Sequence, residues 1–559
     1  AKPGDWWPST IENQTMFSSS KIVAAVALVA PMVVAAPGGL LRRGVLRNHV
    51  NRVLHELGAR ANAATKTLYY EEAILDHFDD AVGATPTYWR QRYYVDPTFF
   101  GGPGSPIFLE IGGEGPQGPP STSMFSATLA EKHGALLVSV EHRFYGESRP
   151  VPNMTLENLR YLTSDQALAD LARFVDFFKA TYTTDLSSSP LVVFGGSYPG
   201  ALAAWFKLKY PAHAVGAIAS SAPVFAVFDF YQYAQVVGAA LSAEEIGGSA
   251  ECLRVIQDGA TALAALVEST TPMGSAAEIP DALAPCTPMT SKDDLAYYYA
   301  EIYSTLEGTV QYNLEGSSPT VGDVCAAALA EDDDLSGLAA ATSLVYASAL
   351  ARDDDNDKKH PAAAKALFKN TKASCVESSL QDDYIAGLAD VSFDSGSMRA
   401  WIWQSCNQFG YFQSTFSPDA TTPFSAFQAN DAASAGLAVC RGGFGLPDYS
   451  GPRDDGAGGL AANANYGARH FSNANVTFVN GNLDPWHSLG IVNTTDAFYE
   501  AGGATQVLAP GVSVIELAGT AHCRDMYAPG ALEAAGVNDT ASVAWAHQRV
   551  AADVARYLS

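Results

Sequence analysis

The chain has 559 residues, 48% apolar and only 16% charged, which excludes a disordered chain and leaves ample side chain for a core. Its net charge of −26 excludes nucleic acid and anionic membrane as natural partners and suits an acidic compartment. This length is expected to hold one large domain with an insertion, or two domains.

Taken from the N-terminus, the first signal is MFSSSKIVAAVALVAPMVVAAPGG, from Met16. Lys21, an apolar run over 22–34 and small residues at 33–36 predict a secretory signal peptide over 16–35, cleaved after Ala35. The run is too short to span a bilayer, and no later stretch has the length of a membrane anchor. PIFLEIGG (106–113), ALLVSV (135–140) and LVVF (191–194) read as short buried strands. Between the last two, Thr163 and Gln166 form a capping-box pattern, and Leu168, Leu171, Phe174, Val175 and Phe178 recur at helical spacing. A helix over PGALAAWFKLKYP (199–211) and a strand within 214–224 follow. This alternation predicts an α/β fold, a doubly wound and mostly parallel sheet covered on both faces.

From 227 to 440 the chain turns alanine-rich, acidic and helical, and holds six of the seven cysteines. It reads as an inserted helical cap stapled by disulfides, between a first sheet portion (65–226) and a second (441–559). With seven cysteines, one thiol is left over; no CxxC pair occurs, and no metal or cofactor is expected. The run DDDND (353–357) resembles the start of a calcium loop, but Lys358 and Ala364 stand where glycine and glutamate are needed, so it reads as a solvated loop. Strands return at VTFVN (476–480) and VSVIEL (512–517). Asn153, Asn475, Asn493 and Asn538 stand in glycosylation sequons, as suits a secreted chain.

Three residues stand where chemistry is expected. FGGSYPGA (194–201) places Ser197 between a strand and a helix, the setting of a nucleophile held on a sharp turn. Asp484 follows the strand VTFVN, and His522 follows the strand VSVIEL. Serine is a weak nucleophile until an imidazole takes its proton, and the imidazole needs a carboxylate to fix its tautomer. His142, His487 and Asp525 are rivals for these roles, and Cys523 could be mistaken for a thiol nucleophile. The backbone N–H groups of Tyr198 and of Gly113 or Glu114 are the expected oxyanion donors.

LDHFDD (75–80), EIGGEGP (110–116), EHRFYGESRP (141–150), GGSYPGALAAWFKLKYP (195–211), WIWQSCNQFGYFQS (401–414), NGNLDPWHSLG (480–490) and AHCRDM (521–526) carry a resemblance. Together they resemble the Pro-X carboxypeptidase, dipeptidyl-peptidase II and thymus-specific serine protease family of serine peptidases, its thymus-specific branch most. The resemblance implies an α/β-hydrolase with a helical cap, a triad of Ser197, Asp484 and His522, and exopeptidase action on short peptides next to proline. A homodimer is compatible with it. Gly113, Pro199 and Cys523 depart from the lysosomal members and leave the mode of cleavage open. The expected pocket walls are Trp401, Trp403 and Phe412, since a proline ring needs shape and aromatic surface rather than hydrogen bonds. Glu114 would receive a substrate ammonium in a dipeptidyl-peptidase mode, and Arg143 a carboxylate in a carboxypeptidase mode. Alternatives are a carboxylic-ester hydrolase on the same scaffold and an inactive peptide-binding homologue. An acidic activity optimum is expected, which needs a lowered His522 pKa or a substrate that binds better when protonated.

Overall fold

A computed structural model describes residues 66–79, 86–313, 319–357, 375–393, 398–418, 421–452, 460–496, 506–533 and 536–559. The expected signal peptide, 16–35, lies outside the described residues. The framework is one eight-stranded sheet. Its strands are β1 (Lys66–Ile74), β2 (Tyr88–Asp96), β3 (Ile107–Ile111), β4 (Leu136–Val140), β5 (Leu191–Gly196), β6 (Gly216–Ser220), β7 (Val476–Gly481) and β8 (Ser513–Leu517). They lie in the order β1-β2-β4-β3-β5-β6-β7-β8. From β4 to β8 all neighbours are parallel; β2 runs antiparallel to both β1 and β4.

Side chains alternate across this sheet with the two-residue period of a strand. Leu109, Val138 and Val193 enter one core, and Phe108, Leu137 and Val192 enter the other. The first core is covered by α2 (Ser164–Thr181) and α3 (Tyr198–Lys209), the second by α1 (Phe125–His133) and α10 (Ala541–Tyr557). Apolar on both faces, the central strands read as continuous runs in sequence. β1 and β2 escaped the sequence reading because KTLYYEEAI and YWRQRYYVD carry charges through their length; β1 is the sheet edge and β2 its neighbour.

Between β6 and β7 the chain is mainly helical: α4 (Gln232–Leu241), α5 (Ala250–Glu268), α6 (Lys292–Gln311), α7 (Val321–Leu329), α8 (Asp334–Asp357) and α9 (Met398–Gln404). Disulfides join Cys252 to Cys325, Cys286 to Cys375 and Cys406 to Cys440. The acidic run 353–357 is a correction: it closes α8 rather than forming a loop. Alanine-rich sequence before it carries the helix on. No described helix is long and apolar enough to cross a membrane.

Candidate active site

Ser197 sits at the turn from β5 into α3 with φ 63° and ψ −134°, a positive-φ conformation that a serine adopts only under constraint. The constraint is visible. Its N–H donates to the Ser220 carbonyl on β6 (2.9 Å), and its own carbonyl accepts from Ala201 N in α3 (3.1 Å). A Cβ at Gly195 would lie 2.1 Å from the Pro199 carbonyl oxygen, so only glycine lets the strand double back into the helix.

The loops after β7 and β8 deliver the partners. Asp484 is fully buried; Oδ1 accepts from Trp486 N (3.0 Å), and Oδ2 lies 2.8 Å from His522 Nδ1. That contact fixes the imidazole with its proton on Nδ1. His522 Nε2 is buried and has no hydrogen-bond partner. Ser197 and His522 line one cavity. Burial pulls the His522 pKa down, but Asp484 and the neighbouring Cys523 sulfur push harder, and the net shift is upward. The lowered pKa invoked for an acidic optimum is therefore not what this site provides.

The rivals have other employment. His142 accepts or donates at Tyr198 Oη (3.1 Å) and is held neutral by burial, its pKa lowered to about 4. Gln404 donates to the same Tyr198 oxygen (2.9 Å), so both brace the first turn of α3. His487 is tied to the Asp484 carbonyl (2.5 Å) and to Asp496 (3.2 Å). Asp525 accepts from Ser220 Oγ (2.5 Å) instead of facing the His522 Nδ1. Cys523 is buried, outside the disulfides, and lines the Ser197 cavity.

Two departures noted in the sequence explain each other. A Cβ on residue 113 would lie 2.3 Å from Pro199 Cγ, so the proline ring occupies the space of a side chain there. Glycine at 113 goes with proline at 199.

Three residues expected at the substrate lie elsewhere in the structure. Arg143 is fully buried and its guanidinium is saturated: Nε and Nη2 grip Asp170 (2.6 and 2.7 Å), and the carbonyls of Ile74, Leu75 and Tyr161 take the remaining protons. It locks β1 to α2 and has no donor left for a carboxylate. Trp401 lines a cavity with Ser197, but Trp403, two residues on and so on the opposite side of α9, packs against Phe444 (5.3 Å). Phe412 packs against Phe228 (5.4 Å between ring centres) and lines a different cavity from the two that Ser197 lines. Glu114 lines both cavities that Ser197 reaches. Of the sequon residues, Asn493 and Asn538 are exposed, Asn153 is half-buried, and Asn475 donates its amide to the Val215 carbonyl (3.1 Å).

Sequence reasoning missed Glu307, Tyr312, Met398 and Trp486, which complete the cavity with Trp401. Only Trp486 carried a signal, its place two residues after Asp484. The others come from α6 and α9, and nothing local marks them. The end of α6 reaches the site directly: Gln311 Oε1 accepts from Trp486 Nε1 (3.1 Å) and from Tyr233 Oη (2.5 Å), and the Gln311 carbonyl accepts from His522 N (3.1 Å).

A strained serine at the carboxyl end of a central parallel strand, sharing a cavity with an imidazole from the loop after the last strand, is the layout of the α/β-hydrolases, and the strand order agrees. Comparison with known proteins narrows this class. Residues 73–543 match the family described as serine carboxypeptidase S28. The chain is 32% identical to the thymus-specific serine protease of Mus musculus over 89% of its length and 91% of that protein's, and 31% identical to the Homo sapiens protein over 89% and 90%. It is 39% identical to the lysosomal Pro-X carboxypeptidase of Pongo abelii, over 28% of its length and 32% of that protein's. The chain belongs to the S28 family and is a serine-type peptidase.

Proposed function

We propose that the chain is an exopeptidase of the secretory pathway, extracellular or lysosomal, that removes an X-Pro dipeptide from the free N-terminus of short peptides. Ser197 is the nucleophile, His522 the base and Asp484 its orienting carboxylate. The carrying observation is the cavity of about 50 Å³ beside Ser197 under the helical segment. Trp401, Trp486, Met398 and Tyr198 give it the apolar walls a proline ring needs, and Glu114 and Glu307 give it carboxylates for an ammonium group.

Ser197 Oγ attacks the carbonyl carbon as His522 Nε2 takes its proton, and the oxyanion is received by the N–H groups of Tyr198 and Gly113. The C–N bond breaks as His522 passes that proton to the departing nitrogen. Water then enters, loses a proton to His522, and releases the acyl group from Ser197. The name Pro-X carboxypeptidase, carried by one relative, describes release of a C-terminal residue. With Arg143 withdrawn, neither cavity has a lysine or arginine among its described lining residues, which favours the N-terminal mode.

The test compares Lys-Pro-X with Lys-Ala-X, both with free N-termini, beside N-blocked peptides ending in Pro-Phe. Fluorophosphonate labelling runs in parallel. Labelling of Ser197 with cleavage of Lys-Pro-X alone is the expected result. Equal rates on the two free peptides reject the proline pocket, and cleavage of only the blocked peptides rejects the N-terminal mode.

A further inference from the structure

A second, larger cavity of about 120 Å³ opens beside Ser197 toward α1 and α10. Its assignment rests on the proposed triad of Ser197, His522 and Asp484. The imidazole that takes the serine proton returns it to the departing nitrogen, so the leaving group lies on the side His522 faces. His522 lines this cavity and not the indole-walled one, and its buried Nε2 has no partner. The larger cavity is thus the leaving-group side.

Its lining includes two carboxyls, each held by a serine. Ser126 Oγ donates to Glu110 Oε1 (2.5 Å), and Ser220 Oγ donates to Asp525 Oδ1 (2.5 Å). Glu114 lines this cavity as well as the indole-walled one, and Phe125, Phe194, Ile218 and Val550 supply apolar walls. Arg524, the nearest cation in sequence, pairs with Asp539 (2.7 Å) and acts on Asp525 as its smallest, pKa-lowering influence. We infer that this cavity takes the side chain of the residue released behind the scissile bond and selects a cationic one, a lysine ammonium or arginine guanidinium meeting Glu110 and Asp525. The aliphatic stem of such a side chain suits the apolar walls, and its charge suits the end. A leaving residue with an acidic side chain meets like charge.

Selection of charge depends on pH. Burial raises Glu110 to about 7, against help from the Ser126 hydrogen bond, and raises Asp525 to about 6. Both are neutral in acid and ionised above neutrality. Glu114, Tyr312, His522 and Cys523 also line the cavity; His547, bonded to the Asp525 carbonyl, has its pKa lowered by burial, and Asp96 lies near Glu110. The preference for a cation grows from pH 5 to pH 8.

The experiment measures kcat/KM for Ala-Pro-Lys-amide, Ala-Pro-norleucine-amide and Ala-Pro-Glu-amide at pH 5, 6.5 and 8. The ratio between substrates cancels the ionisation of His522. Expected is a lysine-over-norleucine ratio of about 10 or more at pH 8, falling toward 1 at pH 5, with the glutamate peptide slowest. In Glu110→Gln and Asp525→Asn the pH 8 ratio falls toward 1. A wild-type ratio near 1 at pH 8, with Ser197 labelled by fluorophosphonate, overturns the inference and leaves the proposed function standing. If Ser197 is not labelled, the proposed function fails. The cavity is then judged by thermal melts of the wild-type protein at pH 8: a rise with lysinamide but not norleucinamide supports it, and equal shifts or none overturn it.

Discussion

The sheet edge and the helical segment meet at Ser197 but are built on different principles. At the sheet edge every contact is dictated by neighbours in the strand order. Ser197 is pinned to Ser220 on the adjacent strand, and Asp484 and His522 leave adjacent strands β7 and β8. The helical segment contributes by reach: Gln311 bonds Trp486 across 175 positions, and Gln404 bonds Tyr198 across 206. The proposed reacting groups are thus placed by topology, and the proposed substrate walls are placed by packing at a distance. Changes at the sheet edge should stop the chemistry outright, and changes in the helical segment should alter which peptide is cut.

The sharpest way to break this division is Ser197→Ala. It should remove at least ~10³-fold of turnover, as loss of a nucleophile does elsewhere. The far-ultraviolet spectrum and melting temperature should stay close to wild type, because the strain at φ 63° is only kept or relieved. Turnover above about a tenth of wild type would move the nucleophile elsewhere.

Gly113→Ala is the next largest. The added methyl falls 2.3 Å from Pro199 Cγ, so either the loop after β3 or the first turn of α3 must shift, and both carry proposed oxyanion donors. Loss of one such donor costs ~10²–10³-fold in kcat, so a drop of about that size with little change in KM is expected. Adding Pro199→Gly should recover part of it, since the clash partner is gone. An alanine variant with wild-type kcat would show that the pairing of Gly113 with Pro199 is not what sets the hole.

The pH profile follows from the direction of the His522 shift. A base works only when deprotonated, and this imidazole is held above its usual value near 6.5 by Asp484 and Cys523 despite burial. Steady-state kcat/KM should therefore climb tenfold per unit as pH rises toward that pKa and level off above it. Cys523→Ser, which weakens one of the upward contributions, should move the midpoint down. A bell centred below pH 6 on an uncharged substrate would contradict the reading.

The sequence was informative where structure is local or topological. The positions of Ser197, Asp484 and His522 just after β5, β7 and β8 were legible because those strands are recognisable apolar runs, and α2 was legible because its apolar residues recur at helical spacing. The charged strands β1 and β2, at one side of the sheet, lacked that signature. Arg143 was misjudged for a physical reason: an arginine after a central strand looks available until its carboxylate partner, Asp170, folds in from α2. Glu307 and Met398 left no trace in sequence, because nothing near them in the chain says that α6 and α9 lean over the sheet edge.

Trp401 and Trp403 give the finest test of the comparison, being the same residue type two positions apart on one short helix. A separation of two places their side chains on opposite faces. Trp401 meets Tyr198 (5.7 Å between ring centres) and lines the cavity beside Ser197; Trp403 meets Phe444 away from it. Truncating Trp401 to alanine should remove one wall of the proline site, raising KM for Lys-Pro-X by about 10-fold and bringing its rate toward that of Lys-Ala-X, since a lost aromatic contact is worth ~1 kcal/mol or more beyond burial. Truncating Trp403 should lower thermal stability, because a large ring leaves its packing partner, while kcat and KM on the same peptides stay near wild type. If Trp403→Ala were the variant that lost proline preference, the substrate wall would lie on the other face of α9. The helical segment would then act on specificity through its own core and not through the cavity it shares with Ser197.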